Sequence, residues 1–500
     1  MPSIFQAGIF NIPGNTRLAL TEGGQLKADG RQNNTNIFAR AWDCLTRSSE
    51  KVEANKAVAR QFVAEIREKY GDGVADMASR ELKSHLDKGR PLTAHRVSCV
   101  LKNADDAANL TWLRDQNLTR VEIRDVRAQF SRDELTLLRE GHVSIDVGRQ
   151  YKEREIPIHP RTLVAYCRDE NVVEGSKKEL RGGAVSKPYE VQYRHGDQLD
   201  TMVFKEARLG EGHGAAATAL GIDPHSCMAV RNIATKVVDE ALGFNLVPDT
   251  RIGMLDGQLG MVMGFATGAP ATKQRMVDVT DSSQGQMVLK EQHSLNPEEL
   301  KDLLDMGGLR IEGDRVFKSE SVQVQHDYRD PGLRRELVKL QLLDALTAQG
   351  DRHGGNFVIQ RGEGGRFTGL SAIDNDQAFG SRIEDPRQLL GDSACRCVDL
   401  PPVVDEGIKA AFANLSDDQL RRDLTGLLPK DEIDAAVARL QVIKEYLAGG
   451  PPPMVLTGEN PDWGSEAVGR ALSDPATSYV GRELSRFEGL NTMSYEEAEA

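Results

Sequence analysis

Apolar residues recur at helical spacing through the first third of the chain and give way to strict alternation near residue 170, so a helical part precedes a mixed one. Val52, Ala57, Val58, Phe62, Val63 and Ile66 share one side of a helix that starts near 49 and stops near Gly71. Further helices are expected around 92–103 and 132–140, the second opened by Ser131 and Glu134 at capping-box spacing and closed by Gly141. Tyr189, Val191 and Tyr193 then alternate with polar neighbours, Gly196-Asp197 turns the chain, and Met202, Val203 and Phe204 begin a return strand. Asp223 and Pro224 have the order of an N-cap and a first helical residue, and an apolar stripe from Val230 to Leu242 ends at Gly243. Leu259 to Met263 reads as a buried strand and Gly264 to Gly268 as a hinge, with a helix expected from Asn296-Pro297 to Gly307. The run from Leu333 to Leu346 is apolar on nearly every side, the mark of a helix buried within a larger body. Ser416 and Gln419 open another helix, and a last one runs from about Asp431 to Leu447.

These elements set an expected division of the chain. Residues 1–45, rich in Gly, Asn, Thr and Gln, are expected as a disordered leader, and 46–168 as a helical region with no recognisable chemistry. Residues 169–450 have an α+β texture, β-rich over about 169–266 and mainly helical over about 267–450. Gly449-Gly450-Pro451-Pro452-Pro453 marks a linker to a loosely ordered tail over 451–500. A chain of 500 residues agrees with two or three domains.

Composition narrows the partners. A net charge of -13 argues against a general nucleic-acid or anionic-membrane binder, either of which needs a basic surface. No apolar run reaches the length of a spanning helix, and no basic start with an apolar core marks a signal peptide. Six scattered cysteines, Cys44, Cys99, Cys167, Cys227, Cys395 and Cys397, form no CxxC pair and read as free thiols.

The chemistry is concentrated in Gly350-Asp351-Arg352-His353-Gly354-Gly355-Asn356 and in Asp374, which ends the apolar run Ser371-Ala372-Ile373. Phosphoryl transfer asks for a group beside the attacking hydroxyl and for oxygen ligands that hold Mg2+ on a triphosphate. Asp351 suits the first task, and Asn356 and Asp374 suit the second. His353 is a candidate base or stabiliser of developing charge, and Asp376 a further metal-ligand candidate. Upstream, Arg181-Gly182-Gly183-Ala184-Val185-Ser186 would let backbone N–H groups, with the Ser186 hydroxyl, approach phosphates. Strand alternation places Val203 and Lys205 on one face, the first to floor an adenine pocket with Met263 nearby, the second to meet the phosphates. An acid on the following helix should pair with Lys205, and Glu240 or the adjacent Asp239 is the candidate. Gly210-Glu211-Gly212-His213-Gly214 reads as a mobile connector.

The DRHxxN order, in place of the His-Arg-Asp of ordinary protein kinases, resembles the phosphatidylinositol 3/4-kinase-like superfamily. With Gly182-Gly183-Ala184-Val185, Val203-Phe204-Lys205, Arg231-Asn232-Ile233-Ala234, Gly260-Met261-Val262-Met263 and Ile373-Asp374, the stretch from about 180 to 450 is similar to a kinase-like domain of type III secreted effectors of Gram-negative bacteria. The resemblance implies a bilobal protein-kinase-like domain that uses ATP and Mg2+, with Mn2+ as an alternative metal, and a host protein or phosphoinositide as acceptor. It also implies a leader that serves secretion and a first half that binds a secretion chaperone or host activating factor. The expected location is the host cell, or otherwise the bacterial cytoplasm. Asp374 is followed by Asn-Asp where ordinary kinases have Phe-Gly, which keeps open a pseudokinase or scaffold, and a HipA-like toxin kinase is the third reading.

Overall fold

The computed structural model describes residues 12–32, 49–180, 187–208, 214–292, 294–296, 300, 303–304, 308–449, 453–486 and 492–499. It is a mixed α+β protein that separates into two compact units, Met1–Ile145 and Asp146–Ala500.

The first unit is mainly helical. Helices α1 (Ser49–Tyr70), α2 (Asp72–Glu81), α3 (Lys83–Lys88) and α4 (Ala94–Asp115) gather Val58, Phe62, Ile66, Leu82, Val97 and Val100 into one core. Helices α5 (Arg120–Gln129) and α6 (Arg132–Glu140) follow, and both open with capping boxes, Thr119 with Glu122 and Ser131 with Glu134. The expected helix at 92–103 continues to Asp115, because its apolar stripe carries on through Ala104 and Leu113. The leader departs from expectation: Thr16–Leu20 (β1) and Leu26–Gln32 (β2) form an antiparallel hairpin. Its anchor is Leu18, buried in the helical core and donating its backbone N–H to Leu92 O at 2.9 Å, with Ile12, Leu20 and Leu26 packed beside it, a few apolar residues that the polar composition of the leader concealed.

The second unit begins earlier than expected. Helix α7 (Ile145–Glu153) and the segment to 168 belong with it, since Gln150 Nε2 donates to Gly257 O at 2.9 Å and Cys167 O accepts from Met254 N at 2.8 Å. Next comes a five-stranded antiparallel sheet in the order β3-β4-β5-β7-β6, from β3 (Lys178–Glu179), β4 (Tyr189–His195), β5 (Gln198–Glu206), β6 (Thr250–Leu255) and β7 (Gln258–Gly264). One face of it packs Val191, Met202, Phe204 and Val262 into a small core. Gly260 is required where β7 crosses β5, because a Cβ there would lie 2.5 Å from Lys205 O.

Helices α8 (Ala215–Leu220) and α9 (Met228–Leu242) interrupt this sheet. Helix α9 starts later than the Asp223-Pro224 signal suggests, because Asp223 Oδ1 accepts from His225 N at 2.9 Å and so closes a turn rather than a helix. After the sheet come β8 (Ala269–Pro270), β9 (Thr272–Asp278), α10 (Ser283–Glu291), β10 (Leu309–Glu312) and β11 (Arg315–Val324), with β11 between β9 and β10. The helix expected from Asn296-Pro297 to Gly307 falls largely outside the described residues.

Helix α11 (Pro331–Thr347) is the buried helix foreseen at Leu333–Leu346, capped by Asp330 with Pro331 in its first turn. It leads into β12 (Phe357–Arg361), which pairs with β13 (Phe367–Ala372) and β8. Then follow β14 (Val403–Asp405), α12 (Glu406–Asn414), α13 (Asp417–Leu424), opened by Ser416, and α14 (Lys430–Ala448). The tail is ordered, which corrects the loosely ordered expectation: β15 (Met454–Leu456) pairs with β14, and α15 (Glu466–Ala471), α16 (Tyr479–Arg486), β16 (Thr492–Met493) and α17 (Tyr495–Glu499) follow. A few well-spaced anchors hold it. Trp463 is buried with its carbonyl on Arg334 Nη1 at 3.0 Å, and buried Tyr479 donates its hydroxyl to Asp344 at 2.9 Å. No helix of the described residues is long and apolar enough to cross a membrane.

Candidate active site

The lysine side is built on the sheet. Cross-strand partners share a face, so the pairs Val203↔Met263 and Lys205↔Met261 put these four side chains opposite the Met202, Phe204 and Val262 core. Lys205 Nζ reaches Asp374 Oδ1 at 2.8 Å and Asp376 Oδ2 at 3.2 Å, joining β5 to the segment after β13.

The loop between α11 and β12 is organised by Arg352, whose side chain is fully buried. Its Nε and Nη2 bond both oxygens of Asp344 at 2.9 and 3.0 Å, and Nη1 donates to Ile373 O at 2.7 Å and to Asn356 O. A further bond from Nη2 reaches Asn375 Oδ1. One planar guanidinium therefore ties the end of α11, the 351–356 loop and the residues flanking Asp374 into one piece. Gln349 makes a second tie, since its side chain donates to Asp374 O at 3.2 Å and accepts from Asp351 N at 3.0 Å. Asn356 is buried and donates Nδ2 to Asp351 O at 2.8 Å, which turns its oxygen the other way.

Beyond Asp374 the chain is pinned by two more buried arginines. Arg231 of α9 donates to Ala378 O and pairs with Glu432 at 2.7 Å, and Arg439 of α14 donates to Leu346 O at 2.7 Å and to Ile383 O. Asp374 itself adopts φ 55°, a left-handed conformation that Asp tolerates better than most residues.

Electrostatics separate the two carboxylates. Burial opposes a charged Lys205, but Asp374 and Asp376 outweigh it and push the ammonium above its ordinary pKa. Burial raises both acids, yet Lys205 overrides it at Asp374, which is held below the usual range, while burial and the Asp374 charge push Asp376 up to about 7. The lysine makes the division: Nζ is nearer Asp374, at 2.8 Å against 3.2 Å, so Asp374 keeps the charge and its charge in turn disfavours a second one on Asp376.

On the other side, Asp351 and His353 are each 38 % exposed, with His353 Nε2 3.9 Å from Asp351 Oδ2. Gly355 N donates to His353 Nδ1 at 3.0 Å, which leaves the proton of the neutral ring on Nε2. Burial first, then the Arg396 charge, hold the imidazole below its ordinary pKa against the pull of Asp351. The ring is therefore a donor at Nε2, and the oxygen of Asp351 is the better proton acceptor. Arg396 Nε lies 3.1 Å from Asp351 Oδ1, and its backbone is fixed at both ends, N to Gly350 O at 2.7 Å and O to Arg482 Nη1 of α16 at 3.0 Å.

Lys205, Asp351, His353, Asn356, Asp374, Val203 and Met263 are thus linked through one bonded framework. Glu240 is not part of it: 45 % exposed, it pairs with Arg161 at 3.2 Å and lies near Lys236, while Asp239 is buried and accepts from Leu246 N and Val247 N at 3.0 Å each. Glu240 lies past the apolar stripe on the solvent face, and Asp239 is consumed in capping the turn after α9. Gly182, Gly183 and Ser186, and the connector 210–213, lie outside the described residues. Sequence reasoning missed Arg352, Gln349, Asn375, Asn232 and Arg396. Asn232 Oδ1 accepts from Asn375 N at 2.7 Å, and only the run Asp374-Asn375-Asp376, with an amide between two acids, hinted at a structural turn.

Asp374 and the Asn356 oxygen are hard oxygen donors of the kind Mg2+ takes alongside phosphate oxygens. Among the described residues no three His, Cys, Asp or Glu side chains gather into a metal cage.

No protein-family model matches the chain, and no curated protein does. Solved structures do match. One is the crystal structure of a Helicobacter pylori proinflammatory kinase, CtkA, at 13 % identity and a TM-score of 0.25, covering 55 % of this chain and 92 % of that chain. A TM-score of that size carries no argument, and the functional reading rests on the site.

Proposed function

We propose that residues 169–450 act as a bilobal, protein-kinase-like phosphotransferase that moves the γ-phosphoryl group of ATP, with Mg2+, to a hydroxyl of a host protein or phosphoinositide. The observation that carries this is the meeting of Lys205 with Asp374 at 2.8 Å while Gln349 and Arg352 bind the Asp374 segment to the Asp351–Asn356 loop. Lys205 would hold phosphate oxygens, and Val203 and Met263 would floor the base. Asp374 and Asn356 would hold Mg2+, which when bound neutralises charge on the phosphates. Asp351 would orient the acceptor hydroxyl and take its proton as the oxygen bonds to phosphorus and the bond to the leaving ADP oxygen breaks. His353, donating from Nε2, would stabilise charge on the transferred group rather than act as base.

The Asn-Asp after Asp374 is not evidence of a lapsed site in this reading, because Asn375 is fully buried and bonded to Asn232, Arg352 and Ala372. Delivery into a host by a type III system, with the first unit as chaperone or activator site, follows only from the resemblance of the motifs. The test is γ-labelled ATP with Mg2+ and a eukaryotic lysate containing membranes: label should enter protein or lipid with wild type and not with Asp374→Ala. Label transfer that survives this substitution would remove the assignment.

A further inference from the structure

We infer that Asp376 is the acid that keeps Lys205 oriented, the place an acid of helix α9 was expected to fill, and that it lets Asp374, the other carboxylate on the lysine, turn to a metal. The inference rests on the phosphotransferase reading for its purpose and on geometry for its substance. A lysine that meets a triphosphate must be held in one direction before the nucleotide arrives, or ordering it is charged against binding. Helix α9 offers no such hold, since Asp239 is engaged by two backbone N–H groups and Glu240 by Arg161. The hold comes from the turn after β13 instead: Lys205 Nζ is 2.8 Å from Asp374 Oδ1 and 3.2 Å from Asp376 Oδ2, and a metal would compete only for the first.

That turn is bonded on both flanks. Asn375 donates its N–H to Asn232 at 2.7 Å and its side-chain amide to Ala372 O at 3.2 Å, and it accepts from Arg352. On the far side, Gln377 O accepts from Gly350 N at 2.9 Å. Both neighbours of Asp376 are thus fixed by protein groups alone, and β5 fixes the lysine backbone through its pairing with β7. The two acids face different surroundings. Asp376 is the more enclosed and Asp374 the more open, so Asp374 is the one more accessible to a bound cation. Asp376 is a positioning residue in this account, acting through the ammonium and not on the metal.

The test is a double-mutant cycle with Lys205→Met and Asp376→Asn in the full chain, read two ways. The first readout is the affinity of a fluorescent ATP analogue with Mg2+. Asp376→Asn should weaken it roughly tenfold, add nothing further in the Lys205→Met background, and leave the Mg2+ concentration for half-saturation unchanged. Asp376→Glu should recover part of the loss. The second readout is thermal unfolding without nucleotide, where the two substitutions should again be non-additive. Additive effects in the unfolding cycle, or a shifted Mg2+ requirement with no coupling to Lys205, would overturn the pairing and make Asp376 a metal ligand. A wild-type chain that binds no nucleotide would overturn the phosphotransferase reading, and the unfolding cycle would still decide the pairing.

Discussion

The two sides of the candidate site are built on opposite terms. Around Lys205 the charges compensate one another, and the turn carrying Asp374 and Asp376 is clamped on both flanks. Around Asp351 the partner is Arg396, whose side chain is 55 % exposed and whose hold comes through its backbone at both ends. In the phosphotransferase reading, the charge-compensated side would meet the phosphates and the Arg396-held side the acceptor. The contrast implies that substitutions on the lysine side should disturb binding and stability together, and those on the acceptor side turnover alone.

The largest expected effect is Asp374→Ala, which removes the open carboxylate and should lower turnover about a thousandfold in a labelled-ATP assay, with the fold intact by circular dichroism. Next is Arg352→Met, which strands the buried Asp344 carboxylate and cuts the tie between the two sides; chemical denaturation should show a loss of about 3–5 kcal/mol. A change confined to turnover would instead assign Arg352 to chemistry.

The third concerns the buried His326, whose Nε2 donates to Pro270 O of β8 at 3.0 Å. Burial, and secondarily the Arg361 charge, lower the pKa of His326 to about 4 against the pull of the Pro270 carbonyl. An unfolded histidine titrates near 6.5, so between about pH 6.5 and 4 the unfolded chain binds a proton that the folded chain refuses. Stability should therefore be unaffected above that window and fall as pH drops through it, by roughly 3 kcal/mol in all. His326→Gln should flatten this part of the pH profile of unfolding, and an unchanged slope would refute the assignment.

Arg396→Ala should lower turnover about tenfold with the ATP KM and the melting temperature nearly unchanged, and Arg396→Lys should recover part of it. An equal loss of stability would make Arg396 structural and erase the contrast between the sides. Smallest of all, Glu240→Ala should cost no more than about 0.5 kcal/mol and leave nucleotide affinity unchanged, because exposed ion pairs contribute little.

The legible parts of this protein are those whose signal is local. Helix α6, with Ser131, Glu134 and Gly141, helix α11, apolar on all sides, and the Val203/Lys205 face each follow from spacing within a few residues. The Asp351, Asn356 and Asp374 set was legible for the same reason, since a loop and a hairpin carry it in a short stretch. Glu240 went astray because a helix stripe tells which residues are buried, not which neighbour a flanking acid meets. Likewise nothing local to Arg396 announces that it lies 3.1 Å from Asp351.

The sequence by itself determined the residue types proposed for phosphate and metal, the face of the strand that bears Lys205, and the helices that stop at Gly71, Gly141 and Gly243, because dihedral preference and periodicity act between near neighbours. Only the tertiary structure decided that Asp376 and not Glu240 meets the lysine, and that buried arginines from two helices and a loop fix residues 373–383. Those choices depend on competition among distant groups for the few partners that can satisfy a buried charge, and such competition is resolved only once the chain has closed around them.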